Sequence, residues 1–469
     1  HFGSRRAVHR GHRASWALQC PDAQCGSDPT LRVYMHRFLL FWAIPSECFR
    51  LQRDIRSTGA ASDSDIVYRH KQHNFGNVQY FGEFKIGGQR LNGIFDTGSF
   101  DLLVLSEKCR DCPADAKYNS SMSTTYRVDD QGTHHRHVYG SGPADTDLAF
   151  ERVTVGPSLM AFPQAFWEIT SHKIAVMDFA HFQAIVGIGH GDSPVVEDHP
   201  TLLQNMKIDE FSWCVERDDG APGWMFWGSE PHLHASMVSV PVVGKIHWGV
   251  VLAGLGLQHS DGRHTKLSGV CNPTCGAIVD SGTSLIAAPA EDIRVITDLV
   301  GAVNKDCSNI DSLPTLTLTL GGQEFELPPR AYILRSEEPV LDDSMNGLLR
   351  VLAFQPKVEI KTVCRHAFTE MDQETQYGKM WILGIPWLRQ YYTTFNRVEK
   401  KLYVAPAGDG CRPVSSTNFF LDSAVEQANA SALHSGERSG RAPPQPPLVN
   451  FNNTRNPWLK RMVPGVLTI

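Results

Sequence analysis

Apolar and polar residues alternate along much of the chain. Residues 81–87 read Phe-Gly-Glu-Phe-Lys-Ile-Gly ahead of a second glycine, and residues 316–320 alternate strictly between Leu and Thr before a Gly-Gly pair. Because successive side chains of a strand point to opposite faces, this period of two predicts half-buried strands, and the glycines predict tight turns between them. The chain is therefore expected to be rich in β-strands.

Two short segments share a different pattern. Residues 94–99 read Ile-Phe-Asp-Thr-Gly-Ser, and residues 278–283 read Ile-Val-Asp-Ser-Gly-Thr. In each segment two apolar residues place an acid, Asp96 or Asp280, at the buried end of a strand, and a glycine two residues later permits a tight turn. One such motif usually indicates only a turn. Its duplication indicates a pair of carboxylates.

A close pair of carboxylates has a characteristic chemistry. In a partly dry cleft the two groups repel each other, so they share one proton. The ionised group can take a proton from a water that attacks a carbonyl, while the protonated group polarises that carbonyl. The hydroxyls of Ser99 and Thr283, three residues after each acid, are placed to donate hydrogen bonds to the carboxylates. This chemistry requires no metal and no cofactor.

Four further segments carry a resemblance to a known family. They are residues 139–142 (Tyr-Gly-Ser-Gly), 284–289 (Ser-Leu-Ile-Ala-Ala-Pro), 381–384 (Trp-Ile-Leu-Gly) and 389–392 (Arg-Gln-Tyr-Tyr). Together with the two acid motifs, and in order between Asn77 and Pro406, they resemble the pepsin-like aspartic proteases. The plasmepsin-like parasite group is one candidate subgroup.

The resemblance implies the fold. It is an all-β, two-lobed pepsin-like fold with short helices and a cleft between the lobes. The first lobe is expected to span residues 76–240 and to carry Asp96, and the second lobe is expected to span residues 241–410 and to carry Asp280.

The resemblance also implies a role for each motif residue. The catalytic residues would be Asp96 and Asp280, the residues that support this dyad would be Thr97, Gly98, Ser99, Ser281, Gly282 and Thr283, and the flap over the substrate would include Tyr139, Gly140 and Ser141. An internal repeat would pair Asp96 with residues 184–187 and Asp280 with residues 382–384. From the residues alone, the segment around Tyr139 could equally be an ordinary hairpin.

The function implied by the resemblance is that of an aspartic endopeptidase made as a zymogen. It would hydrolyse protein or peptide substrates with activated water, as a monomer and without a cofactor. One alternative is a catalytically silent relative that only binds peptides, which the intact acids, Ser99, Thr283 and Tyr139 disfavour. Another is a glycosidase with its own carboxylate pair, which fits the acids but neither the flap nor the duplicated turns.

Three positions depart from the family pattern. Leu103 stands where the family usually has a Trp that hydrogen-bonds the flap tyrosine, and an aliphatic side chain has no donor for that bond. Phe100 and Asp101 replace a small residue and an amide, and Ile385 replaces an Asp. These changes are expected to alter flap positioning and subsite preference while leaving the acid pair intact.

The chain contains eleven cysteines. The resemblance implies three disulfides, which are Cys109–Cys112, Cys271–Cys275 and Cys307–Cys364. A zinc site built from the first two pairs is the weaker interpretation, because the pairs lie far apart in the sequence and each adjoins an acid motif. Cys214 is expected to be a small buried side chain, and no role is assigned to the remaining cysteines, Cys20, Cys25, Cys48 and Cys411.

The N-terminal segments carry a candidate leader. Residues 1–33 are rich in Arg, His and Ser and are expected to be disordered, and residues 34–75 are expected to hold a signal segment and a propeptide. A Met-His-Arg start before apolar residues 38–44 is typical of a secretory signal, although a buried piece of a propeptide remains the alternative. Arg69 or Lys71 could cover the acids in a zymogen, but a solvated charge run is the simpler interpretation.

Composition and short motifs also bear on binding partners and on cellular location. A net charge of -6 with 20% charged residues, and no basic stripe with interleaved aromatics, disfavours nucleic-acid binding. Residues 411–469 form a low-complexity tail with a proline-rich run. Three Asn-x-Ser/Thr triplets, at Asn119, Asn429 and Asn452, permit glycosylation of a secreted chain. The disulfides and the leader predict the secretory pathway, and no segment predicts a transmembrane helix.

Overall fold

The structure is a computed structural model that describes residues 68–110, 112, 116–178, 181–191, 199–228, 230–341 and 358–414. The extension over residues 1–33, the candidate signal segment and residues 415–469 of the predicted tail lie outside these residues. The longest helix described has 11 residues, and none of the described helices is both long and apolar enough to cross a bilayer.

The described residues are mainly strands, as the alternating sequence predicts. The strands of the first half are β1 (Tyr68–Phe75), β2 (Gln79–Ile86), β3 (Gln89–Asp96), β4 (Leu102–Leu105), β5 (Arg127–Val128), β6 (His134–Tyr139), β7 (Gly142–Val155), β8 (Leu159–His172), β9 (Ala184–Gly187), β10 (Glu210–Val215), β11 (Gly223–Trp227) and β12 (Val238–Pro241). Those of the second half are β13 (Gly249–Gln258), β14 (His264–Lys266), β15 (Cys275–Val279), β16 (Ile286–Ala288), β17 (Thr315–Leu320), β18 (Gln323–Leu327), β19 (Ile333–Leu341), β20 (Val358–His366), β21 (Phe368–Glu370), β22 (Glu374–Thr375), β23 (Gly378–Leu383), β24 (Tyr391–Asn396) and β25 (Lys401–Pro406).

The helices are short. They are α1 (Leu202–Asn205), α2 (Pro231–His234), α3 (Ala290–Val300), α4 (Pro329–Tyr332) and α5 (Ile385–Gln390), with 3₁₀ turns at Ser120–Met122 and Ile310–Ser312. The all-β fold with short helices is confirmed, and both alternating stretches singled out in the sequence lie in strands or their turns, at β2 and β17.

Among the described residues the strands form three sheets. The first has 14 strands and runs β12-β25-β24-β10-β11-β1-β2-β3-β9-β4-β8-β7-β5, with β6 paired to β7. The second has 9 strands and runs β18-β17-β13-β15-β23-β16-β21, with β14 and β22 on its margins, and β19 and β20 form the third. The first sheet therefore includes β24 and β25, which follow the strands of the second sheet in the sequence.

Each acid motif follows a strand in the same local topology. In the first sheet β3 runs parallel to β9, which runs antiparallel to β4, and Asp96 lies opposite Gly187. In the second sheet β15 runs parallel to β23, which runs antiparallel to β16, and Val279 lies opposite Leu383. The N–H of Asp280 donates to the carbonyl of Leu383 at 3.1 Å. The predicted internal repeat is confirmed.

Strands from the two halves of the chain meet in the first sheet. Strand β10 pairs with β24, and β12 pairs with β25. The rings of Phe211 and Phe395 stack with centroids 4.9 Å apart, and the ring of Trp248 packs against Phe395 at 5.1 Å. Because these side chains are fully buried, the joint between the halves is part of the hydrophobic core.

Strand β1 lies within the segment 34–75 that the sequence suggested for a leader and propeptide. It pairs with β11 on one side and with β2 on the other. Arg69, a candidate cover for the acids, places its guanidinium 3.7 Å from the ring centroid of Trp224 and donates to the carbonyl of Gly410 at 3.1 Å. Its side chain therefore packs against β11 on the surface of the described fold.

The three predicted disulfides are present, and a fourth joins them. Cys109–Cys112, Cys271–Cys275 and Cys307–Cys364 are bonded. Cys214 is buried, as expected, and it is also bonded to Cys411 across 197 residues of sequence, a pairing that the sequence did not predict. Since Cys214 lies in β10 and Cys411 follows β25, the pairing of β10, β24 and β25 in one sheet brings the two residues together.

Candidate active site

The two acid motifs meet at the junction of the two sheets. Asp96 is the last residue of β3, and Asp280 directly follows β15. Asp96 is fully buried and Asp280 is 3% exposed. The apolar residues before each acid, such as Phe95 and Val279, are buried in the core and fix the strand ends that carry the carboxyl groups.

Thr97 and Ser281, the residues after the acids, link the two motifs reciprocally. The N–H of Thr97 donates to Ser281 Oγ at 3.0 Å, and the N–H of Ser281 donates to Thr97 Oγ1 at 2.9 Å. Thr97 Oγ1 then donates to the carbonyl of Val279 at 2.9 Å, and Ser281 Oγ donates to the carbonyl of Phe95 at 2.5 Å. All of these groups are buried, so the four bonds hold the two turns in fixed register.

Each carboxylate receives the same two donors from its own turn. The N–H of Gly98 donates to Asp96 Oδ1 at 2.8 Å, and the Ser99 hydroxyl donates to Asp96 Oδ2. The N–H of Gly282 donates to Asp280 Oδ1 at 2.8 Å, and Thr283 Oγ1 donates to Asp280 Oδ2 at 2.6 Å. These bonds fix the orientation of both carboxyl groups.

The two glycines mark how closely the acids approach. A Cβ atom added to Gly98 would lie 2.7 Å from the Asp280 carboxyl, and one added to Gly282 would lie 2.4 Å from Asp96 Oδ1. Each acid therefore lies against the turn of the other motif. Glycine is required at both positions because any side chain would occupy the space of the facing carboxyl group.

The electrostatics of the pair follow from this geometry. Burial raises the pKa of Asp96 well above its ordinary value, and the charge of Asp280 and a hydrogen bond with its side chain raise that pKa further. The donors Ser99 and Gly98 act in the opposite direction. An acid held in this way keeps a proton at a pH where an isolated Asp would be ionised.

The predicted flap is a hairpin. Strands β6 and β7 pair antiparallel with Tyr139 opposite Gly142, so Gly140 and Ser141 form the two-residue tip. Gly142 has φ of 140°, and a Cβ atom there would lie 2.3 Å from the carbonyl oxygen of Lys173. The backbone at this end of the hairpin therefore requires glycine.

Tyr139 reaches the acid pair from the hairpin. Its side chain is half-buried. Burial and the charges of Asp96 and Asp101 raise the pKa of its hydroxyl well above the ordinary value, while a hydrogen bond with the Ser99 side chain lowers it. The hydroxyl is thus close to Asp96 and Ser99.

An aromatic side chain from the neighbouring strand lies beside Leu103. Leu103 and Trp167 are opposite each other in the parallel pair β4–β8, and both are fully buried in the cluster on which Tyr139 packs. The ring of Trp167 lies 5.0 Å from that of His137, on the flap strand. The volume beneath the flap is therefore filled from β8 as well as from β4.

Sequence reasoning missed His247. Burial lowers the pKa of its ring, whereas the charge of Asp280 and a hydrogen bond with the backbone of Gly98 raise it. The ring of Phe100 lies 5.1 Å from that of His247. No local pattern identifies this residue, because its proximity to the acids arises from the long-range pairing of β13 with β15.

Among the described residues, one group of potential metal ligands lies close together: Cys271, Cys275 and Asp292. The two cysteines are bonded to each other, so their sulfurs are not thiolates that could bind zinc. Asp292 accepts hydrogen bonds from Lys379 Nζ at 2.8 Å and from Trp381 Nε1 at 3.3 Å. This group therefore serves the packing of the second sheet.

Comparisons with known proteins agree with the geometry. The family described as eukaryotic aspartyl protease matches residues 79–407. Cathepsin D of Dictyostelium discoideum is 33% identical over 359 residues, which are 72% of this chain and 85% of that protein. Cathepsin D of Mus musculus is 32% identical and covers 71% of this chain and 82% of its own length. The vacuolar aspartic protease of Candida albicans is 30% identical, and the match covers 71% of this chain and 76% of that protein.

Proposed function

The chain belongs to the eukaryotic aspartyl protease family and is an aspartic endopeptidase, and on that premise we propose that Asp96 and Asp280 form its catalytic dyad. The observation that carries this proposal is the mutual approach of the two carboxyl groups, each against the glycine of the opposite motif. The substrates are proteins, as the family implies, and an extended peptide is proposed to bind between the flap and the acids.

The dyad holds one proton in this mechanism. The ionised carboxylate takes a proton from a water molecule that attacks the peptide carbonyl, and the protonated carboxyl polarises that carbonyl. The proton is then passed to the leaving amine. The hydrogen bonds from Gly98, Ser99, Gly282 and Thr283 keep both carboxyl groups oriented throughout, so that little reorganisation is required during the reaction.

The flap completes the site. Tyr139 and the tip residues Gly140 and Ser141 would close over a bound peptide, exclude water and order the scissile bond. Tyr139 packs on the buried cluster beneath the flap, and the charge of Asp96 raises the pKa of its hydroxyl, which supports a position of the flap close to the acids.

We further infer that the protein is a monomeric zymogen of the secretory pathway. Disulfides among the described residues are typical of an oxidising compartment, and relatives carry the names cathepsin D and vacuolar aspartic protease. Asn119, in a glycosylation triplet, caps the 3₁₀ turn at Ser120–Met122 near the surface. Mass spectrometry of the secreted chain tests this inference through its N-terminus and its glycans.

Replacing either acid by asparagine tests the dyad. We expect Asp96→Asn and Asp280→Asn each to lower the turnover of a peptide substrate at least about 100-fold, because neither variant can hold one ionised and one protonated carboxyl. Circular dichroism should show an unchanged fold. Asp298→Asn, an exposed position on α3, is the matched control and should retain wild-type turnover.

The same assay separates the alternatives. Near-normal turnover by either acid variant would refute the dyad. Wild-type protein that binds peptides without hydrolysing them would indicate a silent relative, and hydrolysis of a polysaccharide panel instead of a peptide panel would indicate a glycosidase.

A further inference from the structure

One face of the first sheet carries a row of surface side chains that the proposed mechanism does not use. Lys85 of β2 lies opposite Arg90 of β3 on one side and opposite Thr154 of β7 on the other. Thr154 in turn lies opposite Met160 of β8. Because directly opposite residues of antiparallel strands project to the same face, the row crosses four strands. Arg90 and Met160 are exposed, and Lys85 and Thr154 are half-buried.

Phe162 lies beside this row on the same face. It follows Met160 by two residues in β8, so the two side chains project in the same direction. The ring of Phe162 is 37% exposed, and Met160 is 55% exposed. The guanidinium carbons of Arg152 and Arg127 lie 5.1 Å and 5.4 Å from the ring centroid of Phe162. Two cations therefore flank an exposed aromatic ring, with a second exposed apolar side chain next to it.

The cations of this face are largely uncompensated. Arg90 is paired with Glu83 at 3.0 Å, so these two charges offset each other. Lys85, Arg127 and Arg152 form no ion pair with any residue that the structure describes. The chain as a whole has a net charge of -6, so this concentration of positive charge is local. It is not visible as a basic stripe in the sequence, because the strands that carry it are far apart along the chain.

A cavity of about 460 Å³ opens next to the row, where β1 leaves β2 to pair with β11. Lys71, Lys85 and Thr154 are among the residues that line it. Glu83 also lines the cavity, but its charge is offset by Arg90. Ammonium groups and a hydroxyl are donors that suit the oxygens of a phosphate group. The cavity therefore has the room and the donors for the phosphate of a lipid headgroup.

The apolar side chains distinguish between possible anionic partners. A sulfated polysaccharide would neutralise Arg127 and Arg152 but would leave Met160 and Phe162 in water. The surface of an anionic bilayer accepts both kinds of side chain, because headgroups attract the cations and the boundary of the acyl chains takes up the apolar groups. The mixture of charge and exposed apolar area on one face therefore favours a membrane.

We propose that Lys85, Arg127, Arg152, Met160 and Phe162 form a surface, here called the basic face, that docks the protein on an anionic phospholipid membrane. This inference goes beyond the proposed proteolytic function and does not depend on the acid dyad. Arg152 lies near the end of β7 remote from the flap tip. Since a strand rises about 3.3 Å per residue, the two are separated by about 30 Å. A docked protein would keep its flap free to move.

A pair of matched double variants tests the role of charge in the full chain. Binding is measured by sedimentation with vesicles of phosphatidylcholine alone and of equal parts of phosphatidylcholine and phosphatidylserine. We expect Lys85→Gln/Arg152→Gln to lower the affinity for the anionic vesicles about 30-fold. The control Lys266→Gln/Arg294→Gln removes one exposed lysine and one exposed arginine from the second half of the chain and should bind like the wild type. Equal losses in the two variants, or wild-type protein that does not prefer anionic vesicles, would overturn the proposal.

Removing the apolar side chains separates a membrane from a polyanion. We expect Met160→Ser/Phe162→Ser to lower the affinity for anionic vesicles about tenfold while leaving retention on heparin unchanged. If this variant binds the vesicles like the wild type, and Lys85→Gln/Arg152→Gln loses its retention on heparin, the partner is a polyanion and the membrane proposal is wrong.

Turnover of a soluble peptide shows that the variants are folded, because the basic face contains none of the residues assigned to the site. It should be unchanged in all of them. If a double variant loses turnover, the single variant Arg127→Gln, at an exposed position, decides instead. We expect its affinity for anionic vesicles to fall about fivefold. Wild-type affinity in that variant would reject the basic face without affecting the dyad.

Discussion

At the scale of single residues, the site depends on two positions where a side chain is absent. Gly98 and Gly282 do not have the positive φ that usually explains a required glycine. They are required because each faces the carboxyl group of the opposite motif. The acids can share a proton only because nothing lies between them.

Substituting Gly98 tests this explanation. In Gly98→Ala the added methyl would meet the Asp280 carboxyl, so the acids must separate or the turn must shift, and we expect kcat/KM to fall about 100-fold. The measurement is steady-state hydrolysis of a peptide substrate. Gly254→Ala, on β13 with nothing within 4 Å of the added methyl, is the control. Comparable losses in the two variants would contradict the explanation.

Residue patterns also explain how much could be predicted from the sequence. The acids, their donors and the flap could be identified because each lies in a short segment of sequence. The acid segments are duplicated, and the flap segment resembles the family pattern. The packing of His247 against Phe100 and the bond between Cys214 and Cys411 could not, because they depend on which distant strands pair. Periodicity indicates which face of a strand is buried, but it does not identify the partner strand.

At the scale of elements, Tyr139 is the side chain that the flap hairpin places near the dyad. Burial and the charge of Asp96 raise the pKa of its hydroxyl, so the ring lies close to the first acid. We expect Tyr139→Ala to lower kcat more than it raises KM, because the flap acts mainly by ordering the transition state. Tyr139→Phe keeps the ring and should show a smaller loss. An unchanged kcat in Tyr139→Ala would mean that another loop covers the acids.

The fourth disulfide ties the end of β25 to β10. It closes a loop of 197 residues, so removing it should release considerable entropy in the unfolded chain. We expect the double variant Cys214→Ala/Cys411→Ala to lose about 3 kcal/mol of unfolding free energy. Thermal melts against Cys109→Ala/Cys112→Ala, whose bond spans only 3 residues, provide the control. Equal losses in the two variants would exclude a loop-length effect.

At the scale of the whole molecule, buried ionisable groups make stability depend on pH in two opposite directions. The folded-state pKa of Asp96 is raised, so its contribution to stability is fully present at pH below its unfolded pKa and is lost as the pH rises through the folded value. Buried histidines act in the other direction. Burial lowers the pKa of His70 to about 4 and that of His137 to about 3. Between the ordinary pKa values of Asp and His the two effects therefore oppose each other.

One substitution should reduce the loss of stability at acidic pH. Between the ordinary pKa of histidine and the folded value of about 4, the unfolded chain binds a proton that folded His70 excludes, so stability falls as pH falls, by at most about 1.4 kcal/mol per pH unit. His70 packs edge-on against Phe95, directly before the first acid, and accepts from Trp227 Nε1 at 3.4 Å. His70→Gln keeps an acceptor but does not titrate, so its melting temperature should drop less than that of the wild type between pH 7 and about pH 4. His264→Gln, exposed on β14, should behave like the wild type. If the His70 variant loses stability as steeply as the wild type, other groups cause the loss of stability at acidic pH.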